Sequence, residues 1–247
     1  MIFLCALSFF APLLAAPTGA VPIIRRHDVA DSAYVSYGAG FPAVGKVGRL
    51  GDATLIAPRW VLTAGHIASR ILVSSQVVSV VIEGESYAID SVVVHPDWRE
   101  MELPDIGLIR LSRDVEGVQP IPVLRDAIAP GLLLTLVGHG ANGVGDSRAR
   151  TEDGIRRAAT NALDSSSASA MFFSFSAPPN ASRLEGAPGR GDSGGPALIQ
   201  LNGKWAVVGV SSGGYDGIAG PGSYGAVDVF TRLDAHFDWI EATVRNN

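Results

Sequence analysis

The segment Gly191-Asp192-Ser193-Gly194-Gly195-Pro196 sets a serine between glycines. Glycine admits backbone conformations that a Cβ forbids, so two main-chain N–H groups can converge on one point there. A reacting carbonyl oxygen at that point gains negative charge in a tetrahedral transition state. The N–H groups of Gly191 and Ser193 are the ones this spacing offers to it, an effect of about 3 to 4 kcal/mol per donor. A serine hydroxyl is a weak nucleophile and needs a base within hydrogen-bond reach. His66 ends the strand-like run Trp60-Val61-Leu62-Thr63-Ala64-Gly65, a rigid place from which to aim an imidazole. Among the other histidines, His95 precedes a proline and reads as a turn residue, and His139 sits in a glycine loop. His236 reads as a solvated side chain on a C-terminal helix. The base in turn needs a carboxylate to fix its tautomer and stabilise the imidazolium. Asp105 opens Asp105-Ile106-Gly107-Leu108-Ile109-Arg110-Leu111. An acid leading into a hydrophobic strand is partly buried and requires partners. Taken alone, a solvated loop aspartate is the plainer reading of that residue. Taken with Ser193 and His66, it completes a set suited to acyl transfer.

The elements that must position these groups are short. Runs such as Gly45 to Leu50, Ala53 to Ile56, Val77 to Ile82, Ala88 to Val94, Leu132 to Val137, Met171 to Phe175, Ala197 to Leu201 and Trp205 to Ser211 are rich in Val, Ile and Leu. They are bounded by Gly, Pro, Asp and Asn, and are too short for helices. No strand–helix–strand alternation appears, which disfavours a doubly wound sheet. The stretch Ala127 to Gly131 separates two halves of similar strand content. Only the C-terminus reads as helical, with Asp234 as its cap and Leu233, Phe237, Ile240 and Val244 on one apolar face. An all-β architecture of two antiparallel barrels or sandwiches, closed by that helix, is expected.

On these motifs the sequence resembles the chymotrypsin (trypsin-like) family of serine peptidases. Thr63-Ala64-Gly65-His66 is similar to the family's histidine motif, Asp105 to Leu108 to its aspartate motif, and Gly191 to Pro196 to its serine motif. The order is the same, with 39 and 88 residues between successive members. Val137-Gly138-His139-Gly140 resembles a glycine-flanked tryptophan segment with His139 in place of the aromatic. Val229-Phe230-Thr231-Arg232 and the helix carrying Trp239 match the usual C-terminal end. The resemblance covers about residues 40–247. It implies two packed six-stranded antiparallel β-barrels, at about 40–126 and 131–233, a helix over 234–245, and catalytic groups in the cleft between the barrels. It also implies that Ala187 forms the base of the specificity pocket, with Arg190 beside it. Ser212, Gly213 and Gly214 would supply extended backbone that pairs with substrate. Asp228 falls on the opposite pocket wall. There its carboxylate either receives Lys or Arg, or points away and pairs internally.

The family's cysteines after the histidine and before the serine motif are missing, and Ile67 takes the first place. An Ile-Val-Gly-Gly-like mature terminus is not visible. In the family a new α-amine pairs with the residue corresponding to Asp192. Val29-Ala30 lies about where that terminus falls, with Arg25-Arg26 as a processing site just upstream.

The remaining features bound the function class. With 47% hydrophobic and 17% charged residues, the chain has ample material for a core. A net charge of −5 without runs of like charge gives no electrostatic support for nucleic-acid or anionic-membrane partners. Residues 1–16 are almost wholly apolar, and Thr18 and Ala20 are small, which reads as a signal peptide cut after Ala20 and an exported or periplasmic protein. The only cysteine, Cys5, lies in that segment, so the mature chain would carry neither thiol nor disulfide. Asn180-Ala181-Ser182 is a glycosylation sequon. No metal or cofactor is expected, since Glu83 and Glu85 make too few ligands for calcium. The run from Gly191 to Gly195 also satisfies the nucleophile-elbow pattern of esterases. That elbow must lead into a helix, and Gly194-Gly195-Pro196 is a poor helix start. The reading is a secreted serine endopeptidase acting on proteins or peptides and open to protein inhibitors, with cleavage after Lys or Arg. A peptidase-fold binding protein with little turnover is the alternative.

Overall fold

The computed structural model describes residues 23–75, 78–100 and 102–246. The expected signal segment and its cut lie outside them. The first half contains β1 (Ile24–Arg25), α1 (Asp31–Gly38), β2 (Val44–Val47), β3 (Gly51–Ala57), β4 (Trp60–Thr63), α2 (Gly65–Val73), β5 (Ser79–Ile82), β6 (Glu85–Val94) and β7 (Gly107–Leu111). The second contains β8 (Leu133–Gly138), β9 (Gly143–Val144), β10 (Arg157–Ala162), β11 (Ser165–Ser166), β12 (Ala170–Ser174), β13 (Gly186–Ala187), β14 (Pro196–Leu201), β15 (Lys204–Tyr215), β16 (Val227–Arg232) and α3 (Phe237–Asn246). The chain is all-β in its framework, as the sequence pattern implies.

Strands β2-β3-β4-β7-β6-β5 close into a six-stranded antiparallel barrel, which leaves no strand edge open among them. Val44, Val47, Leu55, Leu62, Val80, Ile82 and Leu108 fill its core, all but inaccessible to water. The second half is a seven-stranded sheet in the order β10-β8-β14-β15-β16-β12-β11, bent into a half-barrel around Leu134, Leu136, Phe173, Ala197, Val208 and Phe230. A small third sheet, β13-β1-β9, ties the first described residues to the second half. The apolar core of the first barrel continues through Val137, Leu198, Val210 and Leu233 to Ile240 of α3, so the two halves share one buried seam.

Two helices were not legible in the pattern. α1 follows the arm and buries Tyr34, whose hydroxyl donates to the Glu185 carbonyl. α2 begins at the histidine motif itself and buries Gly65, Ile67 and Ala68 against β6 and β7. The cap expected at Asp234 is also corrected. Its carboxylate is held by Arg232 at 2.9 Å, a 3₁₀ turn occupies Asp234–His236, and α3 starts at Phe237. His236 is corrected as well, while His95 sits in the expected turn, its carbonyl accepting the Trp98 N–H at 2.9 Å. His95 is buried, and its ring meets those of His236 and Trp239 at 4.9 and 4.7 Å between centroids.

Candidate active site

β4 ends at Thr63 and the chain turns through Ala64 into α2, which puts His66 on its first turn at the seam between the halves. Asp105 precedes β7, the strand paired with β4, and so arrives beside it. The His66 ring Nδ1 lies 2.7 Å from Asp105 Oδ2, and the His66 main-chain N–H donates to Oδ1 at 2.8 Å. Trp98 Nε1 donates to the same Oδ1 at 3.0 Å, and the Ser212 hydroxyl to Oδ2 at 2.7 Å. Burial pushes the Asp105 carboxyl up. The hydrogen bond and charge of His66, with Ser212 and the His66 amide, outweigh that and hold it below the ordinary range. An ionised Asp105 with four donors fixes the proton of His66 on Nδ1 and leaves Nε2 free as an acceptor.

Ser193 comes from the second half, on the turn before β14. Its carbonyl accepts the Asp52 N–H of β3 at 2.8 Å, which pins the serine turn to the first barrel. Gly191 (φ +100°) and Gly194 (φ +86°) take left-handed conformations that a side chain would strain. A Cβ on Gly194 would also stand 2.2 Å from the Asp52 carbonyl oxygen. Around this turn the N–H groups of Asp192, Gly194 and Gly195 donate to the carbonyls of Gly189, Ser211 and Asp192. Among the described residues, those of Gly191 and Ser193 donate to none. His66, Gly191 and Ser193 line one open cleft of about 870 Å³.

Asp192 is fully buried and collects three main-chain donors, Gly140 at 2.6 Å, Gly189 at 2.7 Å and Ile23 at 3.0 Å. The expectation that residues near Val29-Ala30 reach it is therefore corrected to Ile23. Val29 lies beyond β1, where its carbonyl accepts from Arg25. Burial, then the Asp52 charge, pushes the Asp192 carboxyl up to about 7 against those amides. Asp52 itself is completely buried and accepts from both the main-chain N–H (2.8 Å) and the ring Nδ1 (2.9 Å) of His139. That pair was not foreseen, although His139 in the place of an aromatic was its signal. Trp98 and the Thr231 hydroxyl, which accepts the Asp105 N–H at 3.1 Å, were missed because nothing in their local sequence marks them.

The remaining expected residues divide. Ala187 is buried opposite Ile24 of β1 and packs with Ala141, Phe175 and Tyr224. Arg190 is exposed at the cleft, and Gly213 and Gly214 are exposed on β15, paired with Val229 and Asp228. Ser212 contributes its side chain to Asp105 as well as backbone to that strand. Asp228 is buried in β16, and its Oδ2 has no hydrogen-bond partner. Burial, with the charge of Asp192 behind it, raises the Asp228 carboxyl well above its ordinary range.

Comparison with known proteins agrees with this architecture. The family model described as Trypsin matches residues 34–240. Chymotrypsin-like elastase family member 1 of Macaca fascicularis is 29% identical over 215 residues, 78% of each chain. Its counterpart in Homo sapiens is 27% identical, over 78% of this chain and 81% of its own, and that of Bos taurus is 26% identical over 78% of each. With the closed barrel, the half-barrel and the serine turn at their seam, the chain belongs to the trypsin family of serine peptidases.

Proposed function

We propose that the protein is an exported serine endopeptidase in which Ser193 is the nucleophile, His66 the general base and Asp105 its orienting partner. The observation that carries this reading is the convergence of four donors, His66 among them, on one buried carboxylate beside the cleft that holds Ser193. In the first half-reaction His66 Nε2 takes the proton of Ser193 Oγ as Oγ bonds to the peptide carbonyl carbon. The carbonyl oxygen, now negative, receives the free N–H groups of Gly191 and Ser193. His66 then hands its proton to the leaving amine and the C–N bond breaks. Water, deprotonated by the same nitrogen, releases the acyl group.

Cleavage after Lys or Arg is supported by Asp228, a buried acid with an unpartnered oxygen on the expected pocket wall. A substrate cation there lets the carboxyl ionise, whereas a large apolar side chain meets a polar group it cannot satisfy. The mature chain begins at Ile23 in this reading. Ile23 has φ +34°, a costly conformation for a β-branched residue, and its nitrogen sits on Asp192. Cutting the bond before Ile23 relieves that constraint and turns the amide into an ammonium facing a buried carboxylate.

The test is a cleavage profile over peptides that differ only at the residue before the cut, for the parent and for Asp228→Gly. The parent should favour Arg and Lys. The substitution should lower kcat/KM on them by about 10² or more, as expected for removal of one partner of a buried charge pair. A parent that prefers Phe or Leu, or a variant with the parent's ranking, removes Asp228 from the pocket.

A further inference from the structure

Most arginines of this chain are spoken for. Arg26, Arg59, Arg110, Arg113, Arg156, Arg157 and Arg232 each pair with a carboxylate. Lys46, Arg49, Arg70 and Arg190 have no ion pair among the described residues, and all four line the cleft that holds His66 and Ser193. Two acids share that lining, Glu152 and Asp153, and Asp153 is neutralised by Arg157 at 2.8 and 2.9 Å. Four free cations therefore face one free carboxylate, in a chain whose net charge is −5.

The chemistry says which part of a substrate meets them. His66 must protonate the leaving amine, so the C-terminal fragment, which gains the new amino terminus, departs on the His66 side of Ser193. The cleft in question contains His66, while the β15 edge (Ser212–Gly214), Ala187 and Asp228 are not part of its walls. Lys46 and Arg49 stand on β2 and the turn into β3, Arg70 on α2, and Arg190 on the serine loop, which spreads the charge along the path rather than at one point.

We propose that this cleft selects polypeptides carrying Asp or Glu in the first few positions after the cut bond. Resting on the reading above, the favoured substrate is a basic residue followed at once by an acidic segment. Each exposed ion pair is worth a factor of about two to five, so two or three of them give roughly tenfold. They are screened within about 10 Å at 0.1 M salt, so the preference weakens as ionic strength rises.

The experiment uses quenched fluorescent peptides with one common sequence up to Arg and either Glu-Asp-Glu, Ala-Ala-Ala or Lys-Lys-Lys after it, at 20 and 500 mM salt. Arg-p-nitroanilide with the same acyl part is the control for turnover. The parent should rank acidic over neutral over basic, with about tenfold between the extremes at low salt and a small ratio at high salt. Arg49→Glu/Arg70→Glu should compress or reverse the ranking. The ratio is internal to each enzyme, so partial loss of folded protein cancels. Hydrolysis of the control with no acidic preference, or with a ranking untouched by the double substitution, overturns the inference alone. Failure to hydrolyse any of the substrates overturns the proposed function beneath it.

Discussion

His139→Phe keeps an aromatic ring at the seam and removes the nitrogen that serves Asp52. Among the described residues, two groups reach the Asp52 carboxylate, the His139 amide and the His139 ring, and the amide survives the change. Loss of one hydrogen bond to a charged group costs about 1.5 to 3 kcal/mol. Asp52 is 0% exposed and close enough to Asp192 to raise its carboxyl, so the bared oxygen has neither water nor distance to soften the loss. The upper end, about 3 kcal/mol, is expected, which in a domain of this size lowers Tm by about 6 to 12 °C. Thermal unfolding at pH 8 in a Ser193→Ala background, where self-cleavage cannot interfere, measures it. Asp52→Asn added to His139→Phe should recover most of the loss, because the buried charge is gone. A shift under about 2 °C, or no recovery in the double variant, would refute the view that the imidazole satisfies Asp52.

Ser193→Ala should lower kcat by about 10⁶ with an unchanged Tm, and His66→Ala should be nearly as severe; most of the turnover surviving in either would reassign the nucleophile or base. A chain retaining Val21-Pro22 should lose stability between pH 5 and 8, because Asp192 is raised to about 7 and its contribution is lost as pH rises through that value. The chain starting at Ile23 should hold its Tm over the same range, up to about 4 kcal/mol better at the alkaline end, as its ammonium keeps Asp192 ionised at little cost. Equal Tm profiles of the two forms would sink the maturation reading. Dithiothreitol should leave activity and Tm of the exported protein unchanged, since Cys5 lies in the expected signal segment; inactivation would contradict export with cleavage after Ala20.

The motif residues were legible because each sits at a strand end or a glycine turn whose purpose local sequence states. Gly191 and Gly194 announce their left-handed turns, and the Val-rich runs announce the barrel. Arg157–Ala162 was not read as a strand, since Arg157, Thr160 and Asn161 break its apolar pattern. Arg157 is buried only because Asp31 and Asp153 reach it from outside the strand. α2 was hidden for a related reason: the run to His66 looks like one strand, and the turn at Ala64 depends on β7 and Asp105 arriving beside it. Ile23 on Asp192 spans 169 residues, a contact that no local window contains.

The seam between the halves has a consequence for how the protein survives itself. His66 and Asp105 are delivered by the first barrel, and Ser193, Ser212 and Thr231 by the second half, so the site exists only while the two stay docked. Between the halves, among the described residues, the joining is by packing, hydrogen bonds and ion pairs such as Arg156–Glu83 at 2.7 Å; a side chain on Gly51 would collide with the Ser193 carbonyl there. A copy whose halves have parted offers cleavable chain but has no working site. For the activity proposed above, self-digestion would then need one closed and one open molecule, a bimolecular event that scales with the square of concentration. Dilution slows it, and crowding such a peptidase into a small volume shortens its life.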